Sequence, residues 1–200
     1  MHRASDGTRK RLVVAATGVF AKVGFQAATT RQICQKAAAN SAAVNYHFGG
    51  KLGLYKSVIV NAADKQQTRF RDIASLQAPA DVVLRQFVTL IVPKLGGEDQ
   101  LAALIAHEMA RPTPGLSTLV AQIMMPRVKF LCGVVAKNIE RSEDAEETRL
   151  IARSIIAQYV HFTRSRRVLK MLYPTWRMNI RARSAMIDHI VEFSLAGMRA

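Results

Sequence analysis

The sequence predicts an all-α protein. An N-terminal three-helix helix–turn–helix domain, residues 1–56, is joined by a long helix to a helical C-terminal domain, residues 57–200. Three observations predict this. Apolar residues recur three and four positions apart along most of the chain, the period of one helix face, and no stretch reads convincingly as a strand. Residues 29–51 read as two short helices about a tight turn. Gly and Pro close the periodic segments, at Gly24, Gly49-Gly50, Gly96-Gly97 and Pro112 to Gly115.

The elements follow in order. Residues 1–7 are polar and read as a mobile leader, and Arg3, Arg9, Lys10 and Arg11 carry positive charge into the first helix. A solvated charge run and contact with DNA phosphates or the minor groove are both open readings of that stretch. Leu12, Val13, Ala16, Val19, Phe20 and Val23 mark the first inner face, which Gly24 ends. Thr29 with Gln32 three residues later is a capping-box pattern, so a second helix starts at Thr30 with Ile33 and Ala37 inward. Asn40 is a good N-cap, so a third starts at Ser41 with Val44 and Phe48 inward, and Gly49-Gly50 ends it.

Lys51 opens a long helix to about Ala74, with Leu54, Tyr55, Val58, Ile59 and Ala62 inward. A continuous helix of that length transmits movement of its far end to the helix–turn–helix. Ala78-Pro79 restarts the chain, Val83, Phe87, Leu90 and Ile91 form the next face, and Pro93 with Gly96-Gly97 closes it. Leu101, Leu104, Ile105 and Met109 follow. Residues 117–138 are helical by pattern but hold Pro126, which predicts a kink. Two amphipathic helices suited to self-association run from about 144 to 163 and from about 180 to 198, separated by Arg164-Ser165-Arg166-Arg167 and Tyr173-Pro174-Thr175-Trp176.

Half of the 200 residues are hydrophobic, which excludes a disordered chain. The net charge is +15, a balance that favours a polyanionic partner. Residues 1–56 hold nine Lys/Arg against one Asp, whereas residues 57–200 hold twenty against thirteen acids, so charge density peaks on the helix–turn–helix. Cys34 and Cys132, far apart, have neither metal-ligand nor redox spacing. There is no signal-peptide core, and no apolar run approaches the ~20 residues needed to span a bilayer. A cytoplasmic protein without a membrane partner is expected. No Gly-rich phosphate loop, GxSxG elbow or HExxH is present, so neither enzyme, cofactor nor metal is expected.

Gly24-Phe25, Thr29-Thr30-Arg31-Gln32-Ile33, Tyr46-His47-Phe48, Lys51 and Leu54-Tyr55 together resemble the N-terminal domain of TetR/AcrR-family transcriptional regulators. The resemblance covers about a quarter of the chain. Ala38 stands where that family usually has Gly in the turn, which implies strain if φ is positive there. Residues 40–49 and His107 to Pro114 look closer to the CecR-like subgroup. The resemblance implies a helical ligand-binding and dimerisation domain whose last two long helices pair two copies.

Candidate DNA contacts are Thr29, Thr30 and Arg31 at the start of the first motif helix, and Ser41, Ala42, Ala43 and Asn45 for base readout. Asn pairs with adenine, and Ala touches a thymine methyl. The resemblance implies phosphate or base-edge contact for Arg31 and phosphate contact for Tyr46 and Lys51, with His47 beside the DNA. Candidate ligand residues are His107, Met109, Arg111, Met125, Gln158 and Phe162. Simple packing, or a helix end whose His and Arg meet carbonyls, explains them equally. Candidate dimer residues are Ile151, Ile155, Tyr159, Ile187, Ile190, Val191, Ser194 and Met198. The expected function is a ligand-responsive repressor, binding a near-palindromic operator as a homodimer and released by an unidentified small molecule. The alternative is a structural DNA-binding protein without ligand or preferred site.

Overall fold

Capping chemistry sets the ends of the two short helices between residues 29 and 49. The computed structural model describes residues 2–92, 99–175, 177 and 179–199, with no strand among them. The expected stop at Pro93 and Gly96-Gly97 lies outside the described residues, as do Trp176 and the side chains of Arg3, Lys65, Arg164, Arg166 and Arg167. Helix α1 spans His2–Ala27 and is broken at Gly24, where φ is 77° and ψ 171°. The polar leader expected to be mobile is therefore helical. Val23, expected inward, is 40% exposed, because the chain leaves helical geometry directly after it.

Helix α2 spans Thr30–Ala37. The Thr29 side chain accepts from the Gln32 N–H at 3.2 Å, and the Gln32 side chain accepts from the Thr29 N–H at 3.0 Å. Ile33 and Ala37 are buried, as their spacing requires. The helix ends in a Schellman arrangement: Ala39 N–H donates to the Cys34 carbonyl at 3.0 Å and Ala38 N–H to that of Gln35 at 3.3 Å. This puts Ala38 at φ 47° and ψ 52°, the left-handed region. A Cβ there costs roughly 1–2 kcal/mol, part of which glycine gives back as unfolded-state entropy. Ala38→Gly is expected to stabilise the protein by about 0.5–1 kcal/mol. A thermal melt that stays level or falls would show that the turn holds no such strain.

Helix α3 spans Ala42–Phe48, one residue later than the sequence predicts. Asn40 still supplies the cap, since its Oδ1 accepts from the Ala42 N–H at 2.9 Å. Gly49 and Gly50, at φ 67° and 118°, release the chain into α4, Lys51–Ala74. Next come α5 (Ala80–Ile91), α6 (Gln100–Ala110) and α7 (Leu116–Leu119). A π-helical turn, Val120–Met124, leads into α8 (Met125–Ile139), and α9 (Glu146–Arg164), α10 (Arg166–Leu172) and α11 (Ile180–Arg199) complete the chain. The π turn directly precedes Pro126, the residue expected to kink this segment; such turns accommodate interruptions in the helical ladder. Because the ladder continues across it, residues Leu116–Ile139 form a 24-residue helix, long and apolar enough to cross a membrane by length and composition. That corrects the expectation that no such run exists. Leu119, Ile123, Leu131 and Val135 of this helix are buried in protein.

The chain divides into two compact units: Met1–Gln66 with Glu98–Met124, and Gln67–Gly97 with Met125–Ala200. In the first, Leu12, Ala16 and Phe20 of α1 meet Ile33, Val44, Leu54, Tyr55 and Val58, and α6 adds Leu101 and Leu104. The Tyr55 ring lies 4.8 Å from Phe20 and 5.0 Å from Phe25, centroid to centroid. The turn after α6 also packs on Tyr55: a Cβ at Gly115 would lie 2.5 Å from the ring, so only glycine fits. In the second unit, Phe87 of α5 stacks on Phe130 of α8 at 5.3 Å, and Ile155, Ile187 and Ile190 close the core. Arg183 of α11 donates to the Thr89 and Val92 carbonyls at the end of α5, at 3.0 and 3.1 Å.

Candidate nucleic-acid interface

Burial of Val44 and half-burial of Phe48 orient α3, and the orientation determines what the helix offers outward. Ser41, Ala42, Asn45 and Tyr46 are exposed, Tyr46 to 81%. Ala43, expected to read bases, is half-buried against the core, so the structure does not bring it to the open face. Thr29 and Arg31 are exposed at the start of α2, Thr30 is half-buried, and the Thr29 hydroxyl is committed to its cap. His47 is half-buried, 4.9 Å from the Tyr46 ring and 6.0 Å from that of Phe48. A helix bearing small and polar outward residues can approach base edges closely, while a tyrosine at its margin reaches the backbone.

The surrounding cations divide by partner. Arg11 Nε donates to the Ala37 carbonyl at 3.1 Å, closing the end of α2, so this member of the basic stretch ties α1 to the motif. Arg9 lies 5.3 Å over the Phe48 ring, and Lys10 pairs with Asp6 at 3.1 Å. Lys51 Nζ donates to the Gln26 carbonyl at 3.2 Å and sits 4.6 Å over the Phe25 ring. Burial lowers its pKa from the usual lysine value. The ammonium has further hydrogens for a phosphate, but it first secures the segment after Gly24. Lys51→Ala should therefore lower stability by about 1 kcal/mol as well as DNA affinity. A melt of the DNA-free protein unchanged by the substitution would leave phosphate contact as its sole role.

Helix α6 carries a group whose burial the sequence reading did not anticipate, although it lies in the His107 to Arg111 cluster. Met109, expected inward, is 50% exposed, whereas Glu108 is 1% exposed. The Tyr55 hydroxyl donates to Glu108 Oε1 at 2.8 Å, the Thr113 hydroxyl to the same atom at 2.6 Å, and the Thr113 N–H to Oε2 at 3.0 Å. Burial first, then that hydrogen bond and the carboxylate charge, raise the Tyr55 pKa well above the ordinary phenol value. Its neighbour His107 places Nε2 3.1 Å from the Ala21 carbonyl, and a Cβ on Gly24 would lie 3.1 Å from its Nδ1. The break in α1 thus makes room for the imidazole. The signal was available: 101, 104 and 108 form a helical stripe that places Glu108 inward.

The ligand candidates fall in both units. His107 and Arg111 line a cavity of about 310 Å³ with Val23 to Ala27 and Thr113, in the first unit. Met125, 45% exposed, Gln158 and Phe162 belong to the second unit. There Gln158 Nε2 donates to Ser194 Oγ at 3.4 Å, and Phe162 lies 6.3 Å from the His189 ring. The dimer candidates lie mostly on the chain's own core. Ile155, Ile187, Ile190, Val191, Ser194 and Met198 are buried within the single chain, and Ile151 and Tyr159 pack half-buried against the same core. This stripe is amphipathic because it serves the chain's own interior. Outward on the same helices are Leu150, 53% exposed, and Phe193, 62% exposed, with Ser154, Ala157, Ala185 and His189.

Two family models match. Bacterial regulatory proteins of the tetR family cover residues 12–58, and the C-terminal domain of the HTH-type transcriptional dual regulator CecR covers residues 80–198. The CecR regulator of Shigella flexneri is 29% identical over 161 residues, 73% of this chain and 70% of that protein. The HTH-type transcriptional regulator UidR of Escherichia coli strain K12 is 25% identical over 112 residues, 56% of this chain and 57% of that one. Among solved structures, the transcriptional regulator FadR from Bacillus subtilis in complex with stearoyl-CoA superposes with a TM-score of 0.72 at 17% identity, covering 94% of this chain and 98% of that one. The fatty acid degradation regulator FadR from Bacillus halodurans gives 0.72 at 15% identity, covering 94% and 98%. At such identities these likenesses establish the fold.

Proposed function

The chain belongs to the TetR family of DNA-binding transcriptional regulators, with a CecR-type C-terminal domain, and we propose that it is a cytoplasmic repressor that binds a near-palindromic operator as a homodimer and leaves it when a small molecule binds. The observation that carries operator reading is the open face of α3: Ser41, Ala42 and Asn45 exposed, with Tyr46 at its margin. Residues 1–56 form the reading domain in this account and residues 57–200 the sensing and pairing domain, with α6 bonded to the former through Glu108 and His107. Two copies would pair through the outward faces of α9 and α11, around Leu150, Ala157, Ala185 and Phe193. Their small residues allow close helix approach. The two recognition helices would then enter major grooves about one DNA turn, roughly 34 Å, apart.

Ligand response is supported by two structural neighbours, one a regulator in complex with stearoyl-CoA and the other a fatty acid degradation regulator. By linkage the effector must bind the conformation with poorly spaced heads more tightly than the DNA-bound one. A coupling of roughly 1–3 kcal/mol would change operator affinity about 5–150-fold. The deciding experiment is binding to the DNA flanking the chain's own coding region, against a shuffled duplex, across a salt series. A preference of about a thousandfold supports specific readout. Equal, steeply salt-dependent affinity for both duplexes, repeated in a genome-wide binding selection, would leave charge alone as the basis of binding.

A further inference from the structure

The second unit holds a cavity of about 480 Å³ unrelated to the candidate ligand residues named from the sequence. Its size is that of small-molecule sites. One wall is apolar: Ile73 at the end of α4, Leu76 and Val83 beyond it, and Phe130 with Val134 on α8. The rim is charged. Lys129 and Lys137 stand two helical turns apart on α8, with Gly133 midway between them on the same stripe and Asn138 adjoining. Among the described residues neither lysine is in an ion pair. The opposing charge in the lining is Glu143, whose Oε1 would lie 3.3 Å from a Cβ on Gly133. The lining therefore carries two cations against one anion, so a single negative charge on an occupant balances it.

We infer that this cavity binds an amphipathic anion, its hydrocarbon body on Ile73, Leu76, Val83, Phe130 and Val134 and its carboxylate or phosphate between Lys129, Lys137 and Asn138. Gly133 is helical, with no conformational need for glycine; a Cβ there would press on the Glu143 carboxylate, and a leucine side chain would crowd the cavity between the two lysines. Ile73 and Ala74 close the same α4 that starts at Lys51, so an occupant touches the far end of the helix that follows the recognition helix. This deepens the proposed ligand response and rests on it for its biological meaning. The binding itself is measured without DNA.

The experiment is calorimetric titration of the full-length protein with decanoate below its micellar range, alongside decyltrimethylammonium. Decanoate is expected to bind once per chain, at least tenfold more tightly than the cation. Lys129→Gln with Lys137→Gln should weaken decanoate at least tenfold and leave the cation unaffected, and Gly133→Leu should remove decanoate binding. Equal binding of both probes, decanoate binding untouched by the lysine pair, or no decanoate binding would overturn the site. Should Gly133→Leu fail to fold, the lysine variants decide, since both side chains are exposed. An operator complex indifferent to bound decanoate would overturn ligand response while leaving the site standing.

Discussion

Glu108→Ala is expected to destabilise the protein by about 3 kcal/mol, a loss of roughly 6–12 °C in melting temperature for a chain of this size. The side chain is 1% exposed and accepts from the Tyr55 hydroxyl, the Thr113 hydroxyl and the Thr113 N–H. Truncation leaves these donors without an acceptor in a place water does not reach, and each such group costs about 1–3 kcal/mol. A cavity is added beside the Tyr55 ring, already packed on Phe20, Phe25 and the Gly115 backbone. Glu108→Gln should lose less, because one amide oxygen can still accept from Tyr55 and Thr113 while the new N–H₂ faces the Thr113 N–H. The ordering wild type, Gln, Ala in a denaturation series is the check. An alanine variant as stable as wild type would mean that water enters and satisfies these donors. The consequence for function follows from position: Glu108 lies on α6 and Tyr55 on α4, so the bond holds α6 within the unit that contains the helix–turn–helix. A variant that loosens it should also weaken DNA binding without altering any residue on the α3 face.

What the sequence revealed and what it hid divide along the range of the interactions concerned. The cap of α2 and the glycines ending α3 are settled within a few residues and were readable, whereas the left-handed turn at Ala38 was raised only through the resemblance. The inward faces of α1, α4 and α5 were readable because many apolar contacts add along one stripe. The helical stripe places Glu108 inward, but the group that satisfies its carboxylate, Tyr55, lies 53 positions away. At that point of the helix hydrophobicity favoured Met109 over the carboxylate. Arg11 and Lys51 read as free cations for the same reason: their carbonyl acceptors, on Ala37 and Gln26, are 26 and 25 positions off. The α9 and α11 stripes are a different case. Periodicity shows that a helix has an apolar face, but it does not say whether that face meets the same chain or a second one. Leu150 and Phe193 are large apolar residues of these helices left exposed in the single chain.

The recognition helix yields the second large effect, and it separates reading from holding. Asn45 and Tyr46 are adjacent on α3 and both exposed, yet they should fail in different ways. An amide pairing bidentately with a base contributes about 1–3 kcal/mol of discrimination. Asn45→Ala should therefore flatten the preference at one base pair of each half-site by roughly 5–150-fold, with binding to unrelated DNA little changed. Tyr46 offers a hydroxyl and a ring at the margin of the face, a geometry for the sugar–phosphate backbone, which carries no sequence information. Tyr46→Ala should lower affinity for operator and shuffled duplex alike, by about tenfold for a contact of ~1.4 kcal/mol. Its slope against salt should remain, since no charge is lost, whereas Arg31→Ala should make the slope shallower by about one ion. Competition binding over a panel of single-base operator variants resolves the three. Relative affinities unchanged by Asn45→Ala would remove it from base readout, and selective loss on one base pair with Tyr46→Ala would move the reading role to the tyrosine. Each half-site of a dimer repeats the loss, so the effect on the whole operator is close to the square of that on a half-site. The substitutions should therefore be compared on half-sites and on the full operator.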